Sequence, residues 1–188
     1  MKKLLSIFLV IILVLSSVAL VSCKKDNGDK ESDGESGGGA VEIRLEQRRF
    51  GDVLCNMPNN LLLIDTADMN TYVGHTFSDS KSGAKLYVTE RWYLQGSYDE
   101  TRANFPKSIG EMETYIKSAE ADAVIADLVY EDIANGVKAT ATVTNAPGDT
   151  TYRTYYIVCA NLYSAEFQFC ENDASRPYGE AFTVVSIG

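Results

Sequence analysis

The sequence has one histidine, His75, and this is the side chain best suited to acid–base chemistry near neutral pH. It lies between Gly74 and Thr76, with no second histidine to share a metal ion and no cysteine beside it. The GxSxG pattern of serine hydrolases is absent from its surroundings. We therefore interpret His75 as a strand residue held by a local hydrogen bond, with pairing to a distant acid as the alternative.

Two pairs of adjacent acids could also do chemistry: Asp99 with Glu100, and Glu131 with Asp132. A glycosidase needs two carboxylates about 5 to 9 Å apart across a cleft, whereas neighbours on a strand point to opposite faces. Neither pair meets that need alone, and no loop has the alternating acids of a calcium site. The sequence therefore predicts no catalytic residue, no metal site and no cofactor, and indicates that the protein is not an enzyme.

Aromatic side chains offer a different chemistry, the stacking of sugars or the docking of a protein. The chain has 11 tyrosines, more than a core of this size needs, because each buried tyrosine must find a partner for its hydroxyl. They concentrate ahead of the loop to Pro106 and along one predicted hairpin. The alternative is half-buried strand aromatics with no binding role. The residues of the candidate binding surface are Trp92, Tyr93, Tyr98, Tyr152 and Tyr156.

Three of the four cysteines, Cys55, Cys159 and Cys170, lie beyond the N-terminal region. Three thiols can form at most one internal disulfide, and no CxxC zinc motif occurs. In a hairpin that turns near Asn161, Cys159 would face inward, while Cys170 would lie far from the turn and on the other face. That pair is not expected to be bonded. All three thiols are interpreted as small buried side chains.

The fourth cysteine, Cys23, follows a segment with the order of an export signal. Lys2 and Lys3 come first, an unbroken apolar stretch covers residues 7–15, and small residues come after it. Together with Cys23, residues 20–22 (Leu-Val-Ser) resemble the lipobox of bacterial lipoproteins. There a peptidase cleaves before the cysteine and the thiol accepts lipid.

This resemblance implies a signal peptide over residues 1–22 and several acyl chains on Cys23, whose buried CH₂ groups contribute about 0.8 kcal/mol each. An uncleaved membrane anchor is the alternative, but the apolar stretch is shorter than the roughly 20 residues of a spanning helix. We therefore expect the chain at the cell membrane or the outer membrane, facing outside the cytoplasm.

Two further regions follow the signal peptide. Residues 23–39 are the lipidated cysteine and a tether rich in glycine, serine and charge, too polar to fold. A random coil of this length spans about 20 to 25 Å, and a sorting signal in its acidic residues is the alternative. Residues 40–188 are long enough for one globular domain and too short for two.

The mature chain is expected to be strongly acidic. The sequence has 17 basic and 26 acidic residues, and removal of Lys2 and Lys3 with the signal leaves 15 basic residues and a net charge near −11. Such a chain repels phosphate backbones and anionic lipid. Nucleic acid is therefore not expected as a partner.

One helix is clearly predicted within the domain. Ser108 and Glu111 have the spacing of a capping box, and apolar residues recur at helical intervals until the helix ends before Asp122. Ahead of this helix, alternating or short apolar runs predict a series of strands. These predicted strands cover residues 41–46, 50–56, 61–64, 72–77 and 84–93.

A hairpin over residues 124–144 is predicted after the helix. Asn135 and Gly136 form the dipeptide that best tolerates the two positive φ angles of a type I′ turn. Placing them at the centre of the turn sets Ala134 opposite Val137. The face that these two residues share is then the more apolar one.

A second hairpin over residues 151–170 and a terminal helix over residues 177–187 are predicted next. Phe167 and Phe169 would point inward, and Gly179 weakens the helix by roughly 1 kcal/mol. This order of elements predicts an α+β fold, an antiparallel β-sheet with helices packed on it.

Three segments resemble the PsbP-like superfamily, which includes the PsbP subunit of photosystem II and bacterial lipoproteins of the DcrB and LpqN kind. The strand into Pro58 resembles the family's strand ahead of a proline-bearing turn, and residues 133–139 resemble its central hairpin. Residues 155–163 and 182–187 resemble its closing hairpin and final helix. The tryptophan that often follows the proline is absent. The resemblance covers residues 41–187 and implies a PsbP-like α/β/α sandwich with an extracytoplasmic binding or assembly role.

The predicted function is that of a lipid-anchored extracytoplasmic lipoprotein with a non-catalytic binding or scaffolding role at the cell envelope. Its partners would be the membrane, through lipid on Cys23, and an envelope protein or glycan. A surface carbohydrate-binding or adhesion module is the alternative, and an envelope hydrolase is a less favoured one. A pocket that joins His75 to two acids would favour the hydrolase, an exposed tyrosine surface would favour binding, and a polar surface would favour assembly through an edge strand.

Overall fold

The computed structural model describes residues 43–92, 102–160, 163–173 and 175–187. Ten strands and two helices lie in these ranges. Their bounds are β1 Leu45–Phe50, β2 Val53–Pro58, β3 Leu62–Asp68, β4 Tyr72–Ser78, β5 Lys85–Trp92, α1 Ile109–Ala119, β6 Val124–Ile133, β7 Gly136–Thr144, β8 Thr150–Ala160, β9 Tyr163–Glu171, α2 Arg176–Ala181 and β10 Thr183–Ile187.

The strands form two antiparallel sheets. Seven strands make the main sheet in the order β3-β4-β5-β9-β8-β7-β6, and three make the small sheet in the order β1-β2-β10. Every paired neighbour in both sheets is antiparallel. The predicted α+β class, an antiparallel sheet with helical packing, is confirmed.

The small sheet and α2 cover one face of the main sheet. Val53, Cys55 and Met57 of β2 are fully buried and belong to one hydrophobic core with Phe167 and Phe169 of β9. The inward direction predicted for the two phenylalanines is therefore confirmed. Burial raises the pKa of the Cys55 thiol to about 12, which keeps it in the neutral form that suits an apolar core.

The helix α1 covers the opposite face at the other end of the main sheet. Met112 and Ile116 of the helix pack in a second core with Val137 and Ala139 of β7 and Ile157 of β8. The two covering layers are therefore offset along the sheet. Neither core includes a residue of β3, the strand at the far edge.

The N-terminus of α1 is capped as the sequence predicts. The Ser108 hydroxyl accepts a hydrogen bond from the Glu111 backbone N–H at 3.2 Å. The Glu111 carboxylate accepts from the backbone N–H of Lys107 at 2.9 Å, one residue before the position that a capping box uses. At the other end, Arg153 of β8 donates to both carboxylate oxygens of Glu120 and holds the helix against the sheet.

The turn between β6 and β7 differs from the prediction. Ile133 pairs with Gly136, so Ala134 and Asn135 are the central residues, and of the two Asn135 has a positive φ of 60°. Gly136 instead begins β7, where a Cβ atom would lie 2.2 Å from the carbonyl oxygen of Ile157. The glycine is therefore needed for close strand approach rather than for the turn, which shifts the predicted pairing by two residues.

The end of the chain also differs from the prediction. Instead of one helix over residues 177–187, a six-residue helix, α2, is followed by β10, which pairs with β2. Phe182 separates them in extended conformation and is buried in the first core. Val184 packs against that core as well. A third strand in the small sheet therefore replaces the second half of the predicted helix.

The first hairpin lies later along the chain than predicted. The turn falls at Gly51 and Asp52, with φ of 53° at the glycine, so the predicted strand over residues 50–56 is interrupted there. Phe50 ends β1 and Val53 begins β2, and the two pair across the turn.

No helix in the described ranges is both long and apolar enough to cross a membrane.

The three described cysteines are buried and free, as expected. The predicted placement of Cys170 is wrong, because Cys159 pairs with Ser164 and Cys170 pairs with Arg153 across the same two strands. Ser164 and Cys170 are an even number of residues apart, so both cysteines lie on one face. Distance along the strand, and not opposite faces, keeps the two thiols apart.

Candidate binding surface

The edge strand β3 of the main sheet has three consecutive exposed apolar residues. Leu62, Leu63 and Ile64 are 65%, 51% and 62% exposed, and Met69 just beyond the strand is exposed as well. An edge strand presents a row of unpaired backbone N–H and C=O groups. No described strand pairs with the outer side of β3, so the start of β3 combines backbone groups that no described strand engages with exposed apolar side chains.

A β-bulge spreads these apolar side chains over both faces of the strand. Leu63 pairs with Phe77 and Asp65 pairs with Thr76, so Ile64 is the extra residue. Successive side chains on a strand point to opposite faces, so Leu62 and Leu63 lie on opposite faces, and the bulge disturbs this alternation at Ile64. A partner lying along β3 would contact apolar side chains above and below its own backbone.

The strand β3 is itself acidic, although Arg48 lies 5.1 Å from the ring centroid of Phe77, the residue paired with Leu63. The sequence has no lysine or arginine between Arg49 and Lys81, while β3 itself has Asp65 and Asp68. Natural edge strands are often protected by lysine or proline, and β3 contains neither. The edge is therefore suited to an apolar segment.

The opposite edge strand, β6, is better protected. It has its own bulge, where Asp127 adopts a positive φ of 52°, and it bears Glu131 and Asp132 as well. Its exposed apolar residues, Val124 and Val129, are separated along the strand. The two edges are therefore unlike, and β3 is the one with a continuous apolar segment.

His75 lies directly beside this edge. Its Nδ1 atom is 3.3 Å from the hydroxyl oxygen of Thr66 on β3, and its Nε2 atom is 2.6 Å from a carboxylate oxygen of Glu90 on β5. The structure therefore shows the alternative that the sequence left open, in which His75 pairs with an acid distant along the chain, Glu90. Because Glu90 is buried, the contact satisfies a carboxylate inside the sheet. The contacts of His75 thus join β3, β4 and β5 beneath the edge.

The structure does not bring together the three described residues of the predicted aromatic surface, Trp92, Tyr152 and Tyr156. Tyr93 and Tyr98 lie outside the described residues. Trp92 is 53% exposed, but Tyr156 is buried, and its hydroxyl lies 3.5 Å from the carbonyl oxygen of Phe182. Tyr156 is therefore a core residue and not part of a binding surface.

The two remaining aromatic residues are far apart. Trp92 pairs with Tyr163 at the start of β9, whereas Tyr152 pairs with Glu171 at its end. Eight residues of strand separate these points, or about 26 Å. Tyr152 instead packs locally, with the guanidinium carbon of Arg176 4.4 Å from its ring centroid.

The structure describes one of the two acidic pairs singled out from the sequence. Asp99 and Glu100 lie outside the described residues. On β6, Glu131 pairs with Lys138, and the Asp132 carboxylate accepts a hydrogen bond from the Tyr130 hydroxyl at 2.7 Å. Within the described ranges, no three or more His, Cys, Asp or Glu side chains gather as a metal ion would require.

The sequence does not predict one buried acid that the structure contains. Glu171 at the end of β9 is 4% exposed and accepts a hydrogen bond from the Gly179 backbone N–H at 2.8 Å. Burial raises its pKa to about 8, and nearby Glu180 adds to the rise. Nothing in the sequence around position 171 signals this, because the burial comes from α2 folding back over the strand.

The exposure of the β3 edge is also not predicted from the sequence. A continuous apolar run such as Leu61 to Ile64 is typical of a buried strand. Leu61 is indeed fully buried, but the next three residues are exposed. Only the strand order, with β3 at the end of the sheet, distinguishes the two outcomes.

Comparisons with known proteins give structural likeness alone. No protein-family model matches the chain, and no curated protein matches it. The solution structure of cyanobacterial PsbP (CyanoP) from Synechocystis sp. PCC 6803 is similar over 81% of this chain and 98% of that one, with 14% identity and a TM-score of 0.45. A crystal structure from Bacteroides thetaiotaomicron VPI-5482 is similar over 72% of this chain and 46% of that one, with 10% identity and a TM-score of 0.37. Likeness at these levels transfers no function to this chain.

Proposed function

We propose that the chain is a lipid-anchored lipoprotein of the cell envelope whose domain binds or scaffolds a partner without catalysis. The anchor is lipid on Cys23, which places the chain at the cell membrane or the outer membrane, outside the cytoplasm. The partner is an envelope protein that adds an extended segment to the edge of β3. Membership of the PsbP-like superfamily, among lipoproteins of the DcrB and LpqN kind, is part of the same proposal.

The exposed apolar edge is the observation that carries this proposal. Leu62, Leu63 and Ile64 present adjoining apolar side chains on a strand whose outer side pairs with no other described strand. In β-strand addition, main-chain hydrogen bonds give affinity, and alternate side chains give specificity. Three exposed side chains of this size each contribute about 1.5 to 3 kcal/mol when fully buried. That surface favours a protein partner over a glycan, which would need polar groups and stacked aromatic rings.

The cysteine distribution supports the anchor. Cys55, Cys159 and Cys170 are all buried within the domain, so an acyl-transfer enzyme could reach none of them without unfolding it. Cys23 follows the lipobox-like residues 20–22 and precedes a polar tether. Lipid attachment, if it occurs on this chain, therefore belongs to Cys23.

Replacing Cys23 with serine should release the protein from membranes. The variant keeps the apolar stretch of the signal but lacks the thiol that accepts lipid, so acylation should be lost completely. Metabolic labelling with a radioactive fatty acid and membrane fractionation measure both effects. If Cys23→Ser remained labelled, or if the native chain kept the mass of the signal peptide, the lipoprotein assignment would be wrong.

Lysine at two positions of the β3 edge should abolish capture of the partner. The change Leu62→Lys with Ile64→Lys removes apolar contact and adds the charge that blocks edge pairing, so the amount captured should fall at least about tenfold. The native protein and the variant are immobilised and exposed to detergent extract of the envelope, and captured proteins are quantified by mass spectrometry.

The matched control uses the other edge of the same sheet. Val124→Lys with Val129→Lys changes two similarly exposed apolar residues on β6 and should leave capture unchanged. A photocrosslinking residue at position 63 should also attach to the captured protein. Equal loss from both lysine pairs, or no loss from the β3 pair, contradicts assembly through β3.

A further inference from the structure

Three polar side chains form a connected line across the edge of the main sheet. The imidazole of His75 on β4 lies between Thr66 on β3 and Glu90 on β5. The Thr66 hydroxyl oxygen is 3.3 Å from Nδ1, and a Glu90 carboxylate oxygen is 2.6 Å from Nε2. Thr66 is exposed, whereas the side chains of His75 and Glu90 are 19% and 9% exposed. The line therefore runs from a hydroxyl in solvent to a carboxylate inside the protein.

These contacts determine which nitrogen of the His75 ring carries the proton. A neutral imidazole has one N–H and one lone pair, and a carboxylate only accepts. Nε2 therefore donates to Glu90, and the lone pair of Nδ1 accepts from the Thr66 hydroxyl. Hydroxyl, imidazole and carboxylate in this order are the parts of an activated nucleophile. The base takes the proton of the hydroxyl, and the acid holds the ring and stabilises its charged form.

The imidazole of His75 is also held by packing. Its ring centroid is 5.8 Å from that of Phe50 on β1 and 6.5 Å from that of Phe77 on β4. Both phenylalanines belong to the first core, so rotation of the imidazole would disturb buried side chains. The base is therefore fixed in the orientation that serves the hydroxyl, as an efficient proton transfer requires.

Other charged groups approach this line from β1 and β3. Arg48 on β1 forms an ion pair with Glu46. Asp68 lies on the same face of β3 as Thr66, because the two are an even number of residues apart beyond the bulge. Of these charged groups and Glu90, only Glu90 is within hydrogen-bond distance of the imidazole. Glu90 is therefore the positioning residue for the base.

We infer that Thr66 is an acyl-accepting residue, whose hydroxyl takes the acyl group of an activated ester such as an aryl ester or a thioester. The hydroxyl oxygen attacks the carbonyl carbon and forms a C–O bond, while its proton passes to Nδ1 of His75. The bond from the carbonyl carbon to the leaving oxygen or sulfur then breaks, and the leaving atom keeps the electron pair and receives that proton. The products are an ester on Thr66 and a free alcohol or thiol, so no oxidant or reductant takes part.

This inference goes beyond the proposed binding role and does not depend on it. One acylation modifies the chain and is not turnover. The inference rests on side-chain contacts within the sheet, whereas partner capture rests on the outer backbone of β3. Each can therefore fail in its own experiment without the other.

The purified protein can be tested with p-nitrophenyl butyrate, an activated aryl ester. Mass spectrometry should find a butyryl group on the peptide that contains Thr66, and alkaline hydroxylamine should remove it, since this reagent cleaves esters but not the amides formed on lysine. Thr66→Val should lose the label, and Thr66→Ser should keep it. Thr150 is the matched internal control, because its exposed hydroxyl contacts the Thr144 hydroxyl at 2.9 Å instead of an imidazole. Its labelling should be at least about 100-fold slower.

Two further variants test the roles of the base and the acid. His75→Gln should slow labelling of Thr66 by at least about 100-fold, the lower end of what a general base contributes. Glu90→Gln should slow it by at least about tenfold, because an amide N–H can donate to Nε2 and reverse the tautomer. His75 is the only histidine in the sequence, so nitrogen-15 NMR of its ring reports the tautomer directly. The proton should be on Nε2 in the native protein and on Nδ1 in Glu90→Gln.

Circular dichroism identifies the variants that keep the native fold, and only these are compared. The absence of label on Thr66 in the native protein contradicts the inference. Equal labelling rates at Thr66 and Thr150, labelling that His75→Gln leaves unchanged, or a native ring with its proton on Nδ1 would each overturn it as well.

Discussion

Replacing Gly136 with alanine is expected to destabilise the domain by about 3 kcal/mol or more. A Cβ atom at this position would lie 2.2 Å from the carbonyl oxygen of Ile157 and 2.9 Å from the Cα atom of Val158. Both are backbone atoms of β8, so no side-chain rotation can relieve the contact. The strands β7 and β8 would have to separate at Gly136, in the first of the nine residue pairs that join them.

Gly110→Ala is the matched control, because it makes the same chemical change with the opposite expected sign. Gly110 lies in the first turn of α1, and no atom lies within 4 Å of a Cβ placed there. Alanine at an open helical position should stabilise the domain by about 0.5 to 1 kcal/mol. Urea unfolding of the purified proteins, followed by circular dichroism, measures both changes. A loss below 1 kcal/mol for Gly136→Ala would show that the strands accommodate the methyl group.

The same glycine explains why the hairpin was predicted in the right place with the wrong pairing. Asn135 followed by Gly136 is a strong turn signal, but glycine is also required wherever two strands approach closely. Sequence alone does not distinguish these two uses. The prediction set Asp132 opposite Ala139, whereas Asp132 pairs with Val137. A shift of two residues keeps every side chain on its predicted face, so Val137 and Ala139 still enter the core.

Local signals predicted the parts of the fold that depend on neighbouring residues. Ser108 and Glu111 predicted the start of α1, and alternation predicted the inward direction of Phe167 and Phe169. The end of the chain depended instead on distant partners. Residues 183–187 form a strand because β2 offers them an edge, and an apolar run of this length fits a helix or a strand equally well.

The exposure of the candidate-site residues depends even more on parts of the chain that are distant in sequence. The sequence drew attention to tyrosines, but whether Tyr156 is a surface or a core residue is decided by α2 and the small sheet packing over it. Conversely, the run from Leu62 to Ile64 indicated burial, and only its place at the end of the strand order exposes it. Residue type predicted apolar character correctly, but strand order determined which residues a partner can reach.

Glu171 should make the stability of the domain fall as pH rises from about 4.5 to about 8. Its carboxyl is 4% exposed, and burial raises its pKa from 4.5 to about 8 in the folded chain. Over that range the unfolded chain releases the proton while the folded chain keeps it. The folded state therefore binds more protons, and stability decreases with pH by up to about 1.4 kcal/mol per unit. The contribution of the protonated group is complete below pH 4.5 and lost above pH 8.

Glycine at position 179 is part of this arrangement. A Cβ atom there would lie 2.6 Å from both carboxylate oxygens of Glu171, so glycine lets the carboxyl approach the α2 backbone and accept its N–H. The residue that weakened the predicted helix is thus the one that accommodates the buried acid. The hydrogen bond from Gly179 and the charge of Arg176 lower the pKa of Glu171. Burial raises this pKa by more, so the pKa stays above its usual value.

Glu171→Gln should remove this pH dependence while keeping the shape of the side chain. Relative to the native chain, the variant should gain a few kcal/mol between pH 4.5 and pH 8.5, and the gain should level off at higher pH. The difference between the two unfolding free energies isolates Glu171, because every other titrating group is common to both proteins. Any constant cost of burying the amide shifts the whole difference curve without changing its slope. Urea unfolding at half-unit steps of pH gives the curve, and a flat difference would mean that Glu171 is charged in the folded domain throughout this range.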